Sequence, residues 1–61
     1  MWIICDNHNM VNLDHVANII KDNRGTVCCD SNGNEILLSK LDVRPTIAMN
    51  LASDTKVLEV R

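Results

Sequence analysis

Asparagine and aspartate cut this chain into short pieces. They cluster at residues 6–9 (DNHN), 22–23 (DN), 30–34 (DSNGN) and 53–54 (SD), and the apolar runs between them are brief. Asn, Asp and Gly tolerate left-handed backbone and close turns. Turn signals recurring every ~8–12 residues, with short apolar runs between, predict an antiparallel β-meander.

The chain has 61 residues, which predicts a single domain over 1–61. A domain this small buries only about 60% of the surface its unfolded chain exposes. Such chains often need a disulfide, a metal or a second copy of themselves. Trp2 is the one aromatic residue, so the core must come from Ile, Leu, Val and Met. Hydrophobic content is 46%, too high for a disordered segment.

Charge removes some function classes. The net charge is −2, and the six basic residues are scattered, whereas phosphate-backbone binding needs clustered cations. One Trp gives little support to stacking on single strands. No apolar run reaches the length of a membrane helix, and residues 1–5 (MWIIC) lack the basic start of a signal peptide. The expectation is a cytoplasmic protein with reduced thiols. Three cysteines are an odd count, which argues against a disulfide framework.

Residues 2–5 read as a strand and 6–9 as a turn. Met10 and Val11 extend the first hairpin, and Asn12 to Val16 form one tight turn. A strand resumes over 17–21, and Gly25 suits the left-handed last position of a three- or four-residue loop. The clearest hairpin joins residues 26–29 to 35–39. With Asn32-Gly33 as a two-residue type I′ loop, Cys29 faces Ile36, Cys28 faces Leu37 and Val27 faces Leu38. Alternation then puts Val27, Cys29, Ile36 and Leu38 on the core face, and Cys28 with Leu37 on the other. Val43, Ile47 and Leu51 recur at helical spacing and predict a short amphipathic helix, with Pro45 in its first turn. Residues 53–55 break the helix and 56–61 form a last strand; the alternative keeps 46–60 helical throughout. The predicted fold is α+β: an antiparallel β-meander of four to five strands, order β-β-β-β-α-β, with one short helix on one face.

Chemical motifs are few. Cys5, His8, His15, Cys28 and Cys29 could be drawn together around zinc, with Cys5, His8 and Cys28 the best set. A structural site needs four converging ligands, and the vicinal pair Cys28-Cys29 lacks the usual two-residue spacing. The run Asp30-x-Asn32-x-Asn34 resembles a calcium loop, but Glu35 stands where glycine is required and Leu41 where the acidic ligand belongs. A Cys–His nucleophile pair has nothing to orient the imidazole. No cofactor and no enzymatic activity are expected. The residues Lys21, Arg24, Lys40 and Arg44 are the candidates for holding an anion near turns and the helix start.

The most informative feature is apolar. Strand alternation forces half of each run outward, and one helix covers only one face. Trp2, Ile4, Ile20, Cys28 and Leu37 are the expected oligomer interface, since a bare apolar patch on a soluble chain tends to mark one.

Met1-Trp2-Ile3, the run Val11-Asn12-Leu13-Asp14-x-Val16-x-x-Ile19 and Gly33-x-x-Ile36-x-Leu38 resemble a group of small uncharacterised β-meander proteins of Firmicutes and their phages. The resemblance covers residues 1–39 and departs after Lys40, where relatives continue into an acidic helix. It implies a compact meander with a C-terminal helix and no activity. By size and analogy it suggests a stoichiometric phage inhibitor of a host defence system, acting as a homo-oligomer. Such an inhibitor blocks a host protein or sequesters a small nucleotide signal. The alternatives are a metal- or thiol-dependent regulator and a plain protein-interaction domain.

Overall fold

The computed structural model describes residues 1–60. Six strands, a 3-10 turn and one helix follow one another: β1 (Trp2–Ile4), β2 (Met10–Asn12), the 3-10 turn Leu13–His15, β3 (Val16–Asp22), β4 (Gly25–Asp30), β5 (Glu35–Ser39), α1 (Arg44–Ala52) and β6 (Val57–Glu59). The class is α+β with an antiparallel three-strand meander and a helix near the C-terminus. The strands divide into two small sheets, β2-β1-β6 and β3-β4-β5. β6 returns after α1 to lie parallel to β1, with Ile3 opposite Leu58.

Local chemistry accounts for the turns. Asn12 accepts from the Asp14 N–H at 3.1 Å and caps the 3-10 turn, which swings the chain from one sheet to the other. The turn from β3 to β4 sets Asp22 opposite Gly25, so two residues make the loop, fewer than the glycine suggested. The Asp22 carboxylate accepts the Arg24 N–H at 2.8 Å.

The hairpin from β4 to β5 corrects the expected register. The Asp30 N–H donates to the Asn34 carbonyl at 3.0 Å, and the Gly33 N–H to the Asp30 carbonyl at 3.1 Å. The loop is therefore three residues, 31–33, a type I turn with Gly33 left-handed at φ 85, a common hairpin alternative to the two-residue loop. Asp at the first turn position favours it. Cys28 consequently faces Ile36, Cys29 faces Glu35 and Val27 faces Leu37. One residue of slip moves the β4 side chains to the other face, while Ile36 and Leu38 of β5 keep theirs. Thr26, Cys28 and Leu38 point into the core, and Val27 and Cys29 point out.

Ile3, Cys5, Val11, Cys28, Leu38, Val43, Ile47 and Val60 form one core drawn from both sheets and the helix. Val27 lies outside that cluster and is still fully buried, between its cross-strand neighbours Ile20 and Leu37. The buried Thr26 hydroxyl ties down the segment leading into α1: it donates to the Leu41 carbonyl at 2.7 Å and accepts the Val43 N–H at 3.0 Å. The helix itself buries only Ile47, so it plugs the core and leaves Met49 and Leu51 exposed.

The radius of gyration is 10.4 Å, against about 10.5 Å for a compact chain of this length. The surface is 4004 Å², against about 4,000 Å² for a folded monomer of this mass. The apolar side chains left outside are thus not a consequence of loose folding. No helix among the described residues is long and apolar enough to cross a membrane.

Candidate binding cleft and apolar faces

A cleft of about 540 Å³ opens between the two sheets at the β2 edge. Trp2, Met10 and Ile36 stand at its apolar walls, Val11, Val16 and Cys28 lie deeper, and Asn12, His15, Asp30, Ser31 and Asn32 supply its polar lining. Trp2 is 45% exposed, Met10 55% and Ile36 39%. Mostly apolar walls with a few polar groups are the usual make-up of a ligand or partner site.

The expected interface residues do not form one patch. Trp2 and Ile4 lie on the outside of the first sheet, between Asn12, Met10 and Val57. Ile20 and Leu37 lie on the outside of the second, flanking Val27. Cys28 is not on a surface at all: it is 1% exposed, because the three-residue loop turned it inward to the cleft floor. Cys29, expected in the core, is half-buried on the outside, its thiol 4.0 Å from the Glu35 carboxylate.

Cys5 and Cys28 share the core, while His8 sits in the exposed loop at φ 71. Among the described residues no group of three or more His, Cys, Asp or Glu gathers to hold a metal. Burial pushes the Cys5 thiol up, helped by Cys28 and Asp6 beside it. Burial likewise raises the Cys28 thiol. Both are held in the protonated form, which is the less reactive one.

The basic candidates are largely engaged elsewhere. Arg24 pairs with Asp22 at 2.6 Å and Glu35 at 3.2 Å, and Arg44 with Asp42 at 2.8 Å. The Lys21 ammonium reaches the Asp22 carbonyl at 3.5 Å. Lys40 is exposed beside the Asp6 loop, where its backbone N–H donates to the Asp6 carboxylate at 2.8 Å. None of the four lines the cleft.

Sequence reasoning missed Met10, Ile36 and Asp30 as cleft residues. The signal was present for Asp30: aspartate three residues before glycine marks a type I turn, and the correct register follows from it. Compared with known protein families, curated proteins and solved structures, the chain finds no match in any of the three.

Proposed function

We propose that this protein is a small non-enzymatic binding protein that works as a homo-oligomer, with the Trp2 side of the molecule as its contact surface. The resemblance of residues 1–39 to small phage proteins extends the reading to a stoichiometric inhibitor of a host defence system, acting in the cytoplasm by blocking a host protein. One observation carries it: the only aromatic residue stands half exposed at the mouth of an apolar cleft, beside Met10 and Ile36. Aromatic and Met side chains are enriched at protein interfaces. The protonated state of the two buried thiols speaks against nucleophilic chemistry at Cys5 and Cys28. Blocking a protein is favoured over sequestering a nucleotide, because no lysine or arginine among the described residues lines the cleft.

Trp2 makes the test direct, since no other aromatic contributes to the emission. The expected result is a light-scattering mass above that of one chain at micromolar concentration, with Trp2 emission shifting to the red on dilution. A mass of one chain throughout, with unchanging emission, rejects the self-associating reading.

A further inference from the structure

Each sheet has two edges, and three of the four edge strands are guarded against further pairing. β3 carries Lys21, shifts register between Val16 and Asn18, and has α1 packed beside it. β5 is covered near its end, where the Asp6 N–H donates to the Leu38 carbonyl at 3.0 Å. β6 contains Glu59 and follows Lys56. Charges, bulges and coverage are the ordinary defences of an edge strand. β2 is protected only by its shortness: its three residues, Met10-Val11-Asn12, are uncharged and regularly paired with β1.

Its backbone also points the right way. The Cys5 N–H donates to the Asn9 carbonyl and the Leu13 N–H to the Met1 carbonyl. In an antiparallel ladder hydrogen-bonded and non-bonded pairs alternate. Ile3 and Val11 are therefore a bonded pair, and Met10 and Asn12 turn their backbone groups away from β1. They turn them toward the edge where the cleft opens, and both residues line it.

We infer that the β2 edge is the seam of a two-fold dimer, in which a second copy of this chain lays its own β2 antiparallel to it. This rests on the self-associating reading above and names its surface. A two-fold axis through Val11 sets Met10 of one copy opposite Asn12 of the other. Each Asn12 N–H then meets a Met10 carbonyl, and each Met10 N–H meets an Asn12 carbonyl. The Asn12 carbonyl also opens the 3-10 turn, and its two lone pairs allow both bonds. The contact is self-complementary, so it closes at two copies and does not propagate. A stable interface takes about 800 Å² from each partner, roughly a fifth of the 4004 Å² this chain exposes. Three edge residues do not supply that area. The flanking Trp2, Met10 and Ile36 side chains must enter the contact, and all three are partly exposed.

The test combines solution mass with residue-resolved amide exchange at high and low protein concentration. The expected result is a mass double that of one chain, with Met10 and Asn12 amides exchanging more slowly as concentration rises and the Val11 amide unchanged. Met10→Lys puts a charge on the seam and should halve the mass. Asn18→Lys, on the already guarded β3 edge, should leave it doubled. A dimer that survives Met10→Lys, or whose Met10 and Asn12 amides exchange at the same rate at every concentration, overturns the seam while self-association stands. A single-chain mass at every concentration overturns both.

Discussion

Two hairpin loops in this protein have the same backbone and are held by opposite means. In residues 5–9 the Cys5 N–H donates to Asn9 and the His8 N–H to Cys5; in 30–34 the Asp30 N–H donates to Asn34 and the Gly33 N–H to Asp30. Each loop ends on a left-handed residue, His8 at φ 71 and Gly33 at φ 85. The second loop is self-contained. The Asp30 carboxylate accepts the N–H groups of Asn32 and Asn34, both at 2.9 Å, and the Asn34 side-chain amide at 3.0 Å. The first loop has one side-chain bond of its own, the Asn9 N–H to the Asn7 side-chain oxygen at 3.1 Å, and otherwise leans on the other sheet, through Asp6 to Leu38 and Lys40. One loop is specified by its own residues, and the other largely by what it touches.

The turn at Gly25 is the extreme of the second kind and gives the largest expected effect. Its φ of 130 disfavours any side chain, and a Cβ there would also collide with the Ser39 carbonyl oxygen and the Lys40 backbone. Nothing surrounds Gly33. Gly25→Ala is expected to cost about 3 kcal/mol or more, the range of severe backbone and packing defects. Gly33→Ala should cost about 1 kcal/mol, from the left-handed backbone alone. Urea midpoints of the two variants measure the gap, and equal losses would mean that contact with Ser39 contributes nothing.

This contrast explains what could be read from the sequence. The 3-10 turn after Asn12, the helix from Arg44 to Ala52 and the last strand depend on neighbouring residues, and their patterns were legible. The register at Cys28 and Cys29 hung on one choice between two loops compatible with Asn32-Gly33. The cleft was hidden because Trp2, Met10 and Ile36 meet only after the strands divide into two sheets. No local period encodes that division.

The self-contained loop should be sensitive to acid. The Asp30 carboxyl is held below the usual range by the Asn34 backbone N–H first, then by the Asn34 side-chain amide and the Asn32 N–H. A carboxyl with a lowered folded pKa contributes stability above its unfolded value, about 3.9, and that contribution fades as pH falls through the folded value. The urea midpoint is therefore expected to drop below pH ~4. Asp30→Asn should make the drop shallower. It should not abolish it, because Arg24 lowers Asp22 and Arg44 brings Asp42 down to about 2. A slope unchanged in Asp30→Asn would place the acid sensitivity entirely with the arginine pairs.

If the two loops share one backbone, they should accept one residue. A non-glycine side chain in left-handed backbone costs about 1–2 kcal/mol, and glycine gives back ~0.5–1 kcal/mol through its freer unfolded chain. His8→Gly is thus expected to recover about 0.5–1 kcal/mol of backbone strain and to lose the interaction His8 makes, with the thermal midpoint at neutral pH reading the balance. A loss of stability would show that the imidazole makes contacts worth more than the backbone strain.

The smallest expected effect asks whether that relief belongs to hairpins or to left-handed backbone in general. Among the described residues the other non-glycine residue in this region is Asp54, at φ 58. It closes α1 with paired bonds, the Thr55 N–H to the Asn50 carbonyl at 3.1 Å and the Asp54 N–H to the Leu51 carbonyl at 3.3 Å. This is the Schellman arrangement, whose left-handed position is usually glycine. Asp54→Gly also removes a negative charge from the helix C-terminus, where anions are unfavourable. It gives up the pairing with Lys56 at 3.8 Å between two exposed side chains, a contact worth little. The net expectation is a gain of about 0.5 kcal/mol, additive with the His8→Gly effect if the two turns act independently. Additive gains would make backbone conformation the common cause. A gain at His8 alone would tie the strain to the loop that leans on its neighbouring sheet.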